Sequence, residues 1–242
     1  ASQSVEILEQ LINEGMDIAR LNFSHGTHEE HLLRIEAIRQ AMANTGRRVA
    51  IMLDTKGPEI RTGNLAKDTI NLIEGEQITL TTEDILGDET RLSISYRGLP
   101  QDVKPGNMIL IADGLIGLKV LRVQGTEILC EIAHGGEIGS RKNVNVPGVS
   151  IRLPAMTEKD VADINFGIDH GVDFIAASFV RKASDVLDIR RILEERNADI
   201  HIIAKIENAE GVENIDEIIE AADGIMVARG DMGVEIALEE IP

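Results

Sequence analysis

The residues best suited to chemistry stand at the ends of two apolar segments. Lys205 and Glu207 close the segment that begins at Ile202, and because side chains alternate along a strand they lean to the same side. A second apolar segment, 224–228, runs into an Arg-Gly-Asp triplet that ends at Asp231. Neighbouring strands lie about 5 Å apart, so parallel pairing of the two would let Glu207 and Asp231 share one cation beside Lys205. The pattern predicts a metal site next to a lysine whose positive charge could bind an anion.

Side chains would have to hold any phosphate group, because the sequence contains neither G-x-G-x-x-G nor G-x-x-x-x-G-K-[ST]. The cations near the ends of predicted strands and of the segment between them are Arg20, Lys56, Arg61, Lys142, Lys205 and Arg229. Each arginine alone could equally be a surface ion-pair partner. Lys205 is different, because a lysine at the end of an apolar strand needs a nearby anion.

The elements that position these residues begin in a β-α-β order of roughly 30 residues per unit, which is typical of parallel strands joined by helices. Thr27 and Glu30 form a capping box for the second helix, and Gly46 ends it. The predicted elements are helix 5–12 stopped by Gly15, strand 16–23, helix 28–44 and strand 49–53.

The order breaks after Pro58, where closely spaced turns separate short alternating runs such as 91–96 and 128–133. Such a pattern predicts a small all-β domain inserted between a strand and its helix. The predicted domains are 1–57, first part of the α/β domain; 58–152, the insertion; and 153–242, the second part of the α/β domain.

The α/β order then resumes. The predicted elements are a helix from Thr157 to Ile168, strand 172–179, a helix capped by Ser184 and Asp185 that reaches Glu195 and stops at Asn197, strand 200–206, helix 212–221 and strand 224–228. The strands are apolar on both faces, as expected for a parallel sheet covered by helices.

Each of the five predicted parallel strands ends in polar residues at its carboxyl end: Arg20 to His25, Asp54 to Lys56, Ser178, Lys205 with Glu207, and Arg229 to Asp231. Active sites of β/α barrels draw on many strand ends, whereas a doubly wound sheet concentrates its site at one switch point. We therefore predict an α/β fold that is part of a (β/α)8 TIM-type barrel with an inserted small all-β barrel domain. Five strands cannot close a barrel of eight, so the chain is expected to be a fragment.

Composition limits the partners. The 24 Lys and Arg residues against 42 Asp and Glu give a net charge of −18, which disfavours nucleic acid and anionic membranes and helps to concentrate divalent cations. One cysteine, Cys130, rules out an internal disulfide framework and indicates a reducing compartment. No apolar run approaches 18 residues and no leader pattern is present. We expect a cytoplasmic protein that binds neither nucleic acid nor membrane.

Several longer motifs, in order along the chain, resemble the pyruvate kinase family and its bacterial members in particular. These motifs are Arg20 to Gly26 (RLNFSHG), Leu53 to Thr62 (LDTKGPEIRT), Ala204 to Asn208 (AKIEN) and Met226 to Asp231 (MVARGD). The resemblance implies a β/α barrel with a mobile lid domain and transfer of a phosphoryl group from phosphoenolpyruvate to ADP, giving pyruvate and ATP in glycolysis. It also implies Mg²⁺ (or Mn²⁺) and K⁺ as cofactors and a homotetrameric parent enzyme.

Roles carry over from the resemblance residue by residue. The resemblance implies that Lys205 stabilises the transition state and that phosphoenolpyruvate is bound by Arg20, Lys205, Gly230 and Asp231. It implies that Mg²⁺ is held by Glu207 and Asp231, and K⁺ by Asn22, Ser24, Asp54 and Thr55, with Glu59 where K⁺-requiring members carry an acid. It also implies that the nucleotide is contacted by Asn22, His25, Arg61 and Lys142. His25 alone could equally be a capping or core histidine.

Two alternatives stay open at this point. Another metal-dependent phosphoenolpyruvate or aldol-type barrel enzyme would also place paired carboxylates at strand ends, but it would need neither a lid lysine nor the Asp54-Thr55 ion site. A truncated fragment would share every motif and remain inactive, and the threonine that the family uses near the enolate proton lies beyond this sequence.

Overall fold

The computed structural model describes residues 4–236, so the first three residues of the predicted segment 1–57 and the last six of 153–242 lie outside the described part. Within residues 4–236 the chain forms eight helices: α1 Val5–Asn13, α2 His28–Thr45, α3 Leu99–Asp102, α4 Glu158–Asp169, α5 Ala183–Glu195, α6 Ala209–Glu213, α7 Ile215–Ala221 and α8 Arg229–Glu235. The same residues form fourteen strands: β1 Ile18–Asn22, β2 Ala50–Asp54, β3 Ile60–Arg61, β4 Thr69–Leu72, β5 Gln77–Thr81, β6 Arg91–Ser93, β7 Met108–Ile111, β8 Ile116–Gln124, β9 Glu127–His134, β10 Gly136–Gly139, β11 Asn143–Asn145, β12 Phe174–Ala177, β13 His201–Ile206 and β14 Gly224–Val227.

Two compact units divide these elements. The first contains residues up to 58, 155–206 and 211–227, and the second contains 59–154, 207–210 and the residues from 228 onward.

The first unit is built on a five-stranded sheet in the order β1-β2-β12-β13-β14, and every pairing in it is parallel. A helix follows each strand in the sequence, after the insertion in the case of β2. This is the topology of part of a (β/α)8 barrel, and the five predicted parallel strands are confirmed. Active sites of such folds lie at the carboxyl ends of the strands.

Burial of the sheet differs between its centre and its margins. Strands β2, β12 and β13 are buried along most of their length, but side chains alternate between buried and exposed in β1, and in β14 Ile225 and Val227 are exposed. The prediction that all five strands are covered on both faces is therefore wrong for β1 and β14. These two are the margins of the sheet among residues 4–236, where each strand has a neighbour on one side only.

Local capping residues mark the ends of α2 and α4 as the structure shows them, whereas the predicted cap of α5 needs correction. Capping boxes of Thr27 with Glu30 and of Thr157 with Asp160 begin α2 and α4, and Gly46 ends α2 in the left-handed conformation. The predicted cap at Ser184 is wrong, because α5 begins one residue earlier and Asp185 reaches back to accept a hydrogen bond from the Arg181 backbone N–H.

The predicted helix 212–221 is also wrong as a single element, because it divides into α6 and α7 around Asn214. The Asn214 side chain donates to the Arg181 carbonyl. A contact with a residue so distant in sequence cannot be seen in the apolar periodicity of the helix.

The insertion is built mainly from strands. Its larger sheet has the order β3-β11-β7-β8-β9-β5-β6, and a bridge between Thr62 and Ile94 joins its two outer strands, so the sheet closes into a small barrel. Strands β4 and β10 form a separate pair, and α3 is a single helical turn. The barrel interior contains Leu80, Ile109 and Leu118, all fully buried.

Candidate active site at the carboxyl ends of the parallel strands

Asp54 lies at the centre of a charged cluster in the first unit. Its Oδ2 accepts a hydrogen bond from Arg20 Nε at 2.5 Å, and its Oδ1 lies 3.2 Å from Lys205 Nζ. The side chains of Asp54 and Lys205 are 2% and 10% exposed, whereas that of Arg20 is 51% exposed. The ends of β1, β2 and β13 thus bring together one buried carboxylate and two cations with a net positive charge. An anion arriving from solvent can reach the Arg20 guanidinium.

Ser178 and Thr55 complete this cluster. Ser178 Oγ lies 2.8 Å from Lys205 Nζ and 2.7 Å from the Thr55 carbonyl oxygen, and its backbone N–H donates to Thr55 Oγ1. All three residues of this network are buried. Sequence reasoning noted Ser178 as the polar residue after β12 but gave it no role. The signal that could have found it is strand register: Ala177 pairs with Ala204, so the next residues are Ser178 and Lys205.

The predicted magnesium ligands follow the strand pair β13 and β14. These strands pair in parallel with Ile206 opposite Val227, as the sequence predicts, and Glu207 comes directly after β13. Glu207 is 1% exposed, whereas Asp231 is exposed in the first turn of α8 beside Gly230.

These two carboxylates belong to the same compact unit. Among residues 4–236 no cluster of three or more His, Cys, Asp or Glu suited to a metal is present. A pair of carboxylates nevertheless fits Mg²⁺, which usually takes one or two from the protein and its other ligands from water and substrate.

The predicted potassium ligands form a set of oxygen-bearing side chains at the ends of β1 and β2. Asn22 and Asp54 are partners in the strand register, and Asn22 Oδ1 accepts a hydrogen bond from the Ser24 backbone N–H. Thr55 follows Asp54 directly. Oxygen donors are appropriate to a hard monovalent cation, so the residue types fit, although the Asp54 carboxylate already pairs with Arg20 and Lys205.

The segment that carries Ser24 and His25 is held by two neighbouring helices. His31 of α2 bonds through Nε2 to the His25 carbonyl at 2.9 Å, and Lys159 of α4 donates to the Phe23 carbonyl at 2.8 Å. A carbonyl only accepts, so His31 Nε2 carries the proton, and Nδ1 accepts from Arg34. Burial lowers the pKa of His31, in agreement with this neutral form. The side chain of His25 itself is exposed.

The remaining predicted nucleotide contacts lie together in the insertion. Arg61 in β3 pairs with Asn143 of β11, next to Lys142. The Arg61 guanidinium donates to the Glu59 carboxylate and to the Arg141 carbonyl, while the Lys142 backbone bonds to Thr62 and its side chain is exposed. The structure therefore brings these two cations close together in the insertion, Arg61 in β3 and Lys142 directly before β11.

Comparison with known protein families shows to which family the chain belongs. The model of the pyruvate kinase barrel domain matches residues 1–242. The chain belongs to the pyruvate kinase family. Curated pyruvate kinases of Geobacillus stearothermophilus and Bacillus licheniformis are 58% and 54% identical to it over the whole chain, which covers 42% of each. The pyruvate kinase of Clostridium acetobutylicum is 53% identical, with 52% of its length covered.

The chain thus spans about half the length of the pyruvate kinases that it matches, or less. Recognition of the family from the four sequence motifs is confirmed, and so is the β/α barrel fold. No helix among residues 4–236 is both long and apolar enough to cross a membrane.

Proposed function

We propose that the full-length protein to which this chain belongs is a pyruvate kinase that transfers the phosphoryl group of phosphoenolpyruvate to ADP, with Mg²⁺ and K⁺, in glycolysis. The observation that carries the proposal is the cluster of Lys205, Asp54 and Arg20 at the carboxyl ends of parallel strands, in a chain that matches the family over its whole length. A cytoplasmic location and a homotetrameric parent enzyme are part of the same proposal.

The role of the two cations follows from the charge that the reaction develops. Phosphoryl transfer passes through a loose, strongly anionic transition state, so catalysis consists mainly of positioning and of neutralising charge. Arg20 is exposed enough to bind the incoming phosphate, and Lys205 is held where it can stabilise the group in transfer. Asp54 orients both side chains by accepting from each with a different oxygen.

The remaining residues bind the other charged groups. Glu207 and Asp231 would hold Mg²⁺, which supplies positive charge to the phosphates when bound, and Asn22, Ser24, Asp54 and Thr55 would hold K⁺. Gly230 has open space around its Cα, which leaves its backbone accessible to the substrate. His25, Arg61 and Lys142 would contact the nucleotide.

The proposed domain division keeps 58–152 as a lid and assigns 1–57 and 153–242 to the barrel. We also propose that residues 1–242 alone are inactive or nearly so, because a five-stranded part of an eight-stranded barrel leaves apolar side chains such as Ile225 and Val227 exposed.

A coupled assay for pyruvate formation tests the function. Purified full-length enzyme with phosphoenolpyruvate, ADP, Mg²⁺ and K⁺ should form pyruvate, and omission of ADP or Mg²⁺ should abolish it. The same assay on residues 1–242 should give little or no pyruvate. A folded full-length enzyme that forms no pyruvate under these conditions would show the proposal to be wrong.

A further inference from the structure

The hydroxyl of Ser178 stands between two groups that the proposed function uses separately. Its Oγ lies 2.8 Å from Lys205 Nζ on one side and 2.7 Å from the Thr55 carbonyl oxygen on the other. It also lies 3.3 Å from Asp54 Oδ1. Ser178 is therefore in contact with the lysine assigned to the transition state and with the segment assigned to the monovalent cation.

The chemistry of the partners fixes the direction of these hydrogen bonds. An ammonium group can only donate and a carbonyl oxygen can only accept. Ser178 Oγ must therefore accept from Lys205, and its single proton is directed to the shorter of its two acceptor contacts, the Thr55 carbonyl. The result is a chain of two hydrogen bonds, in which Lys205 donates to Ser178 and Ser178 donates to the Thr55 carbonyl.

The backbone around Ser178 is held in an uncommon arrangement. Phe179, the next residue, has φ +57°, a left-handed conformation that is rare for a bulky side chain. Gly57 has φ +71°, and a Cβ at this position would lie 2.9 Å from both Ser178 Cβ and the Ser178 carbonyl oxygen. Strained backbone of this kind persists only where the surrounding structure enforces it, and it concentrates at functional sites. The close approach of Gly57 and the turn at Phe179 together set where the Ser178 hydroxyl points.

We propose that Ser178 is a positioning residue for the catalytic lysine: it accepts a hydrogen bond from Lys205 and fixes the ammonium group relative to the Asp54-Thr55 segment. The proposal rests on the proposed function, in which Lys205 stabilises the transferring phosphoryl group. The Asp54 carboxylate compensates the charge of Lys205, and the Ser178 hydroxyl orients the ammonium group. Because this hydroxyl donates its proton to the Thr55 carbonyl, its oxygen lone pairs are free to accept a hydrogen bond from Lys205.

The test is a double-mutant cycle in the full-length enzyme. Ser178→Ala should lower kcat by about 10- to 100-fold, the effect expected from loss of one hydrogen bond to a charged group. The KM for phosphoenolpyruvate should change by less than about 3-fold, because Arg20 and Asp54 keep their contacts. In the background of Lys205→Ala, Ser178→Ala should cost less than about 2-fold, because the group that it positions is absent.

Two further variants separate positioning from general stability. Ser178→Cys keeps the size of the side chain but is a weak hydrogen-bond partner, so it should lose kcat like Ser178→Ala at an unchanged melting temperature. Ser93→Ala is the matched control: Ser93 is equally buried and its hydroxyl donates to the Ile85 carbonyl, but it lies in the insertion. Ser93→Ala should leave kcat unchanged.

The outcomes are distinct. Wild-type kcat in Ser178→Ala or Ser178→Cys, or an equal loss from Ser178→Ala with and without Lys205, would overturn the role of Ser178 and leave the proposed function standing. A folded wild-type enzyme that forms no pyruvate would overturn both.

Discussion

Asp54 accepts a hydrogen bond at 2.5 Å from Arg20, although the Asp54 side chain is almost fully buried and half of the Arg20 side chain is exposed to solvent. A buried carboxylate needs compensating partners, because removal of an ionised group from water is costly. The partially exposed guanidinium supplies one partner at the edge of the site, and Lys205 supplies another inside it.

Replacement of Asp54 should therefore destabilise the protein. Asp54→Ala leaves the buried Lys205 ammonium without this carboxylate, and loss of one partner from a buried pair costs about 3 kcal/mol or more. We expect the melting temperature of the full-length enzyme to fall by about 2 °C or more. The control is Glu89→Ala, which removes the exposed ion pair with Lys67 and should leave the melting temperature unchanged. Equal effects of the two substitutions would contradict the structural role of Asp54.

Lys205 and the two carboxylates should differ in their response to Mg²⁺. Lys205→Ala should lower kcat on the order of 10²–10⁴-fold with little change in the Mg²⁺ concentration required, because the proposed role of this lysine is to stabilise the charge on the transferring phosphoryl group. Glu207→Ala or Asp231→Ala removes one of the two proposed protein ligands, so the Mg²⁺ requirement should rise steeply and excess metal should partly restore activity.

The measurement is a Mg²⁺ titration of each full-length variant at saturating phosphoenolpyruvate and ADP. Glu213→Ala, which removes an exposed carboxylate of α6, is the control and should behave as wild type. Rescue of Lys205→Ala by excess Mg²⁺ to the same degree as Glu207→Ala would refute the assignment of Lys205.

Asp160 and Glu30 occupy the same position in two capping boxes but should differ in importance. Glu30 is exposed and accepts from the Thr27 backbone N–H, whereas buried Asp160 accepts from Thr157 and also from the Gly57 backbone N–H at 2.9 Å. Asp160→Ala should cost about 2–3 kcal/mol, because it leaves a buried N–H unsatisfied, and Glu30→Ala about 1 kcal/mol or less. Thermal melting of the two variants checks the order, and a larger loss in Glu30→Ala would contradict it.

Cys130 should be unreactive in the folded protein. Burial raises the pKa of its thiol from 9.0 to about 12, so the thiolate that reacts with disulfide reagents is not formed at pH 8. Because the folded pKa is the higher one, the group contributes stability below about pH 9 that is lost as the pH rises toward 12. The thiol should react with a coloured disulfide reagent only after unfolding by denaturant. Rapid reaction of the native protein at pH 8 would show that the thiol is accessible.

The chain of residues 1–242 should self-associate through β14. Ile225 and Val227 are 40% and 48% exposed on the same face of this strand, at the margin of the sheet among residues 4–236. An exposed apolar strand at the edge of a sheet favours pairing with another chain. Ile225→Lys or Val227→Lys should shift the chain toward monomer in sedimentation velocity, whereas Leu33→Lys, at an exposed apolar position on helix α2, should not. A monomeric wild-type chain at all concentrations would contradict this.

The sequence was sufficient for features that depend on neighbouring residues. The capping box at Thr27, the helix start at Thr157 and the helix stop at Gly46 lie where the sequence predicts them, because their hydrogen bonds join residues three or four apart. The five parallel strands were also predictable from their apolar runs. The cap of α5 and the break at Asn214 were missed, since both involve contacts of Arg181 that no local pattern reveals.

In the candidate site, too, some features could be predicted from the sequence and others could not. The rule that chemistry follows the ends of parallel strands predicted that Arg20, Asp54 and Lys205 would lie at one edge, and Asp54 contacts both of the other two. It did not predict that Asp54 pairs with Lys205 or that Ser178 bridges Lys205 to Thr55. These contacts depend on the register of β12 against β13 and on that of β2 against β12, whose paired residues lie more than 120 positions apart in sequence.

The pairing of β3 with β11 has a consequence for how the chain folds. Strands β2 and β12 are neighbours in the sheet, yet the insertion separates them. Ile60 pairs with Val144, so the insertion joins its own first and last strands. Once it has folded, the flexible path between the two barrel strands shrinks from about 120 residues to about 36, which lowers the entropic cost of closing that loop by about 1 kcal/mol. Folding of the insertion therefore lowers the free-energy cost of pairing β2 with β12. The five-stranded sheet, and the site at its edge, can form at a lower cost than the sequence separation of these strands implies.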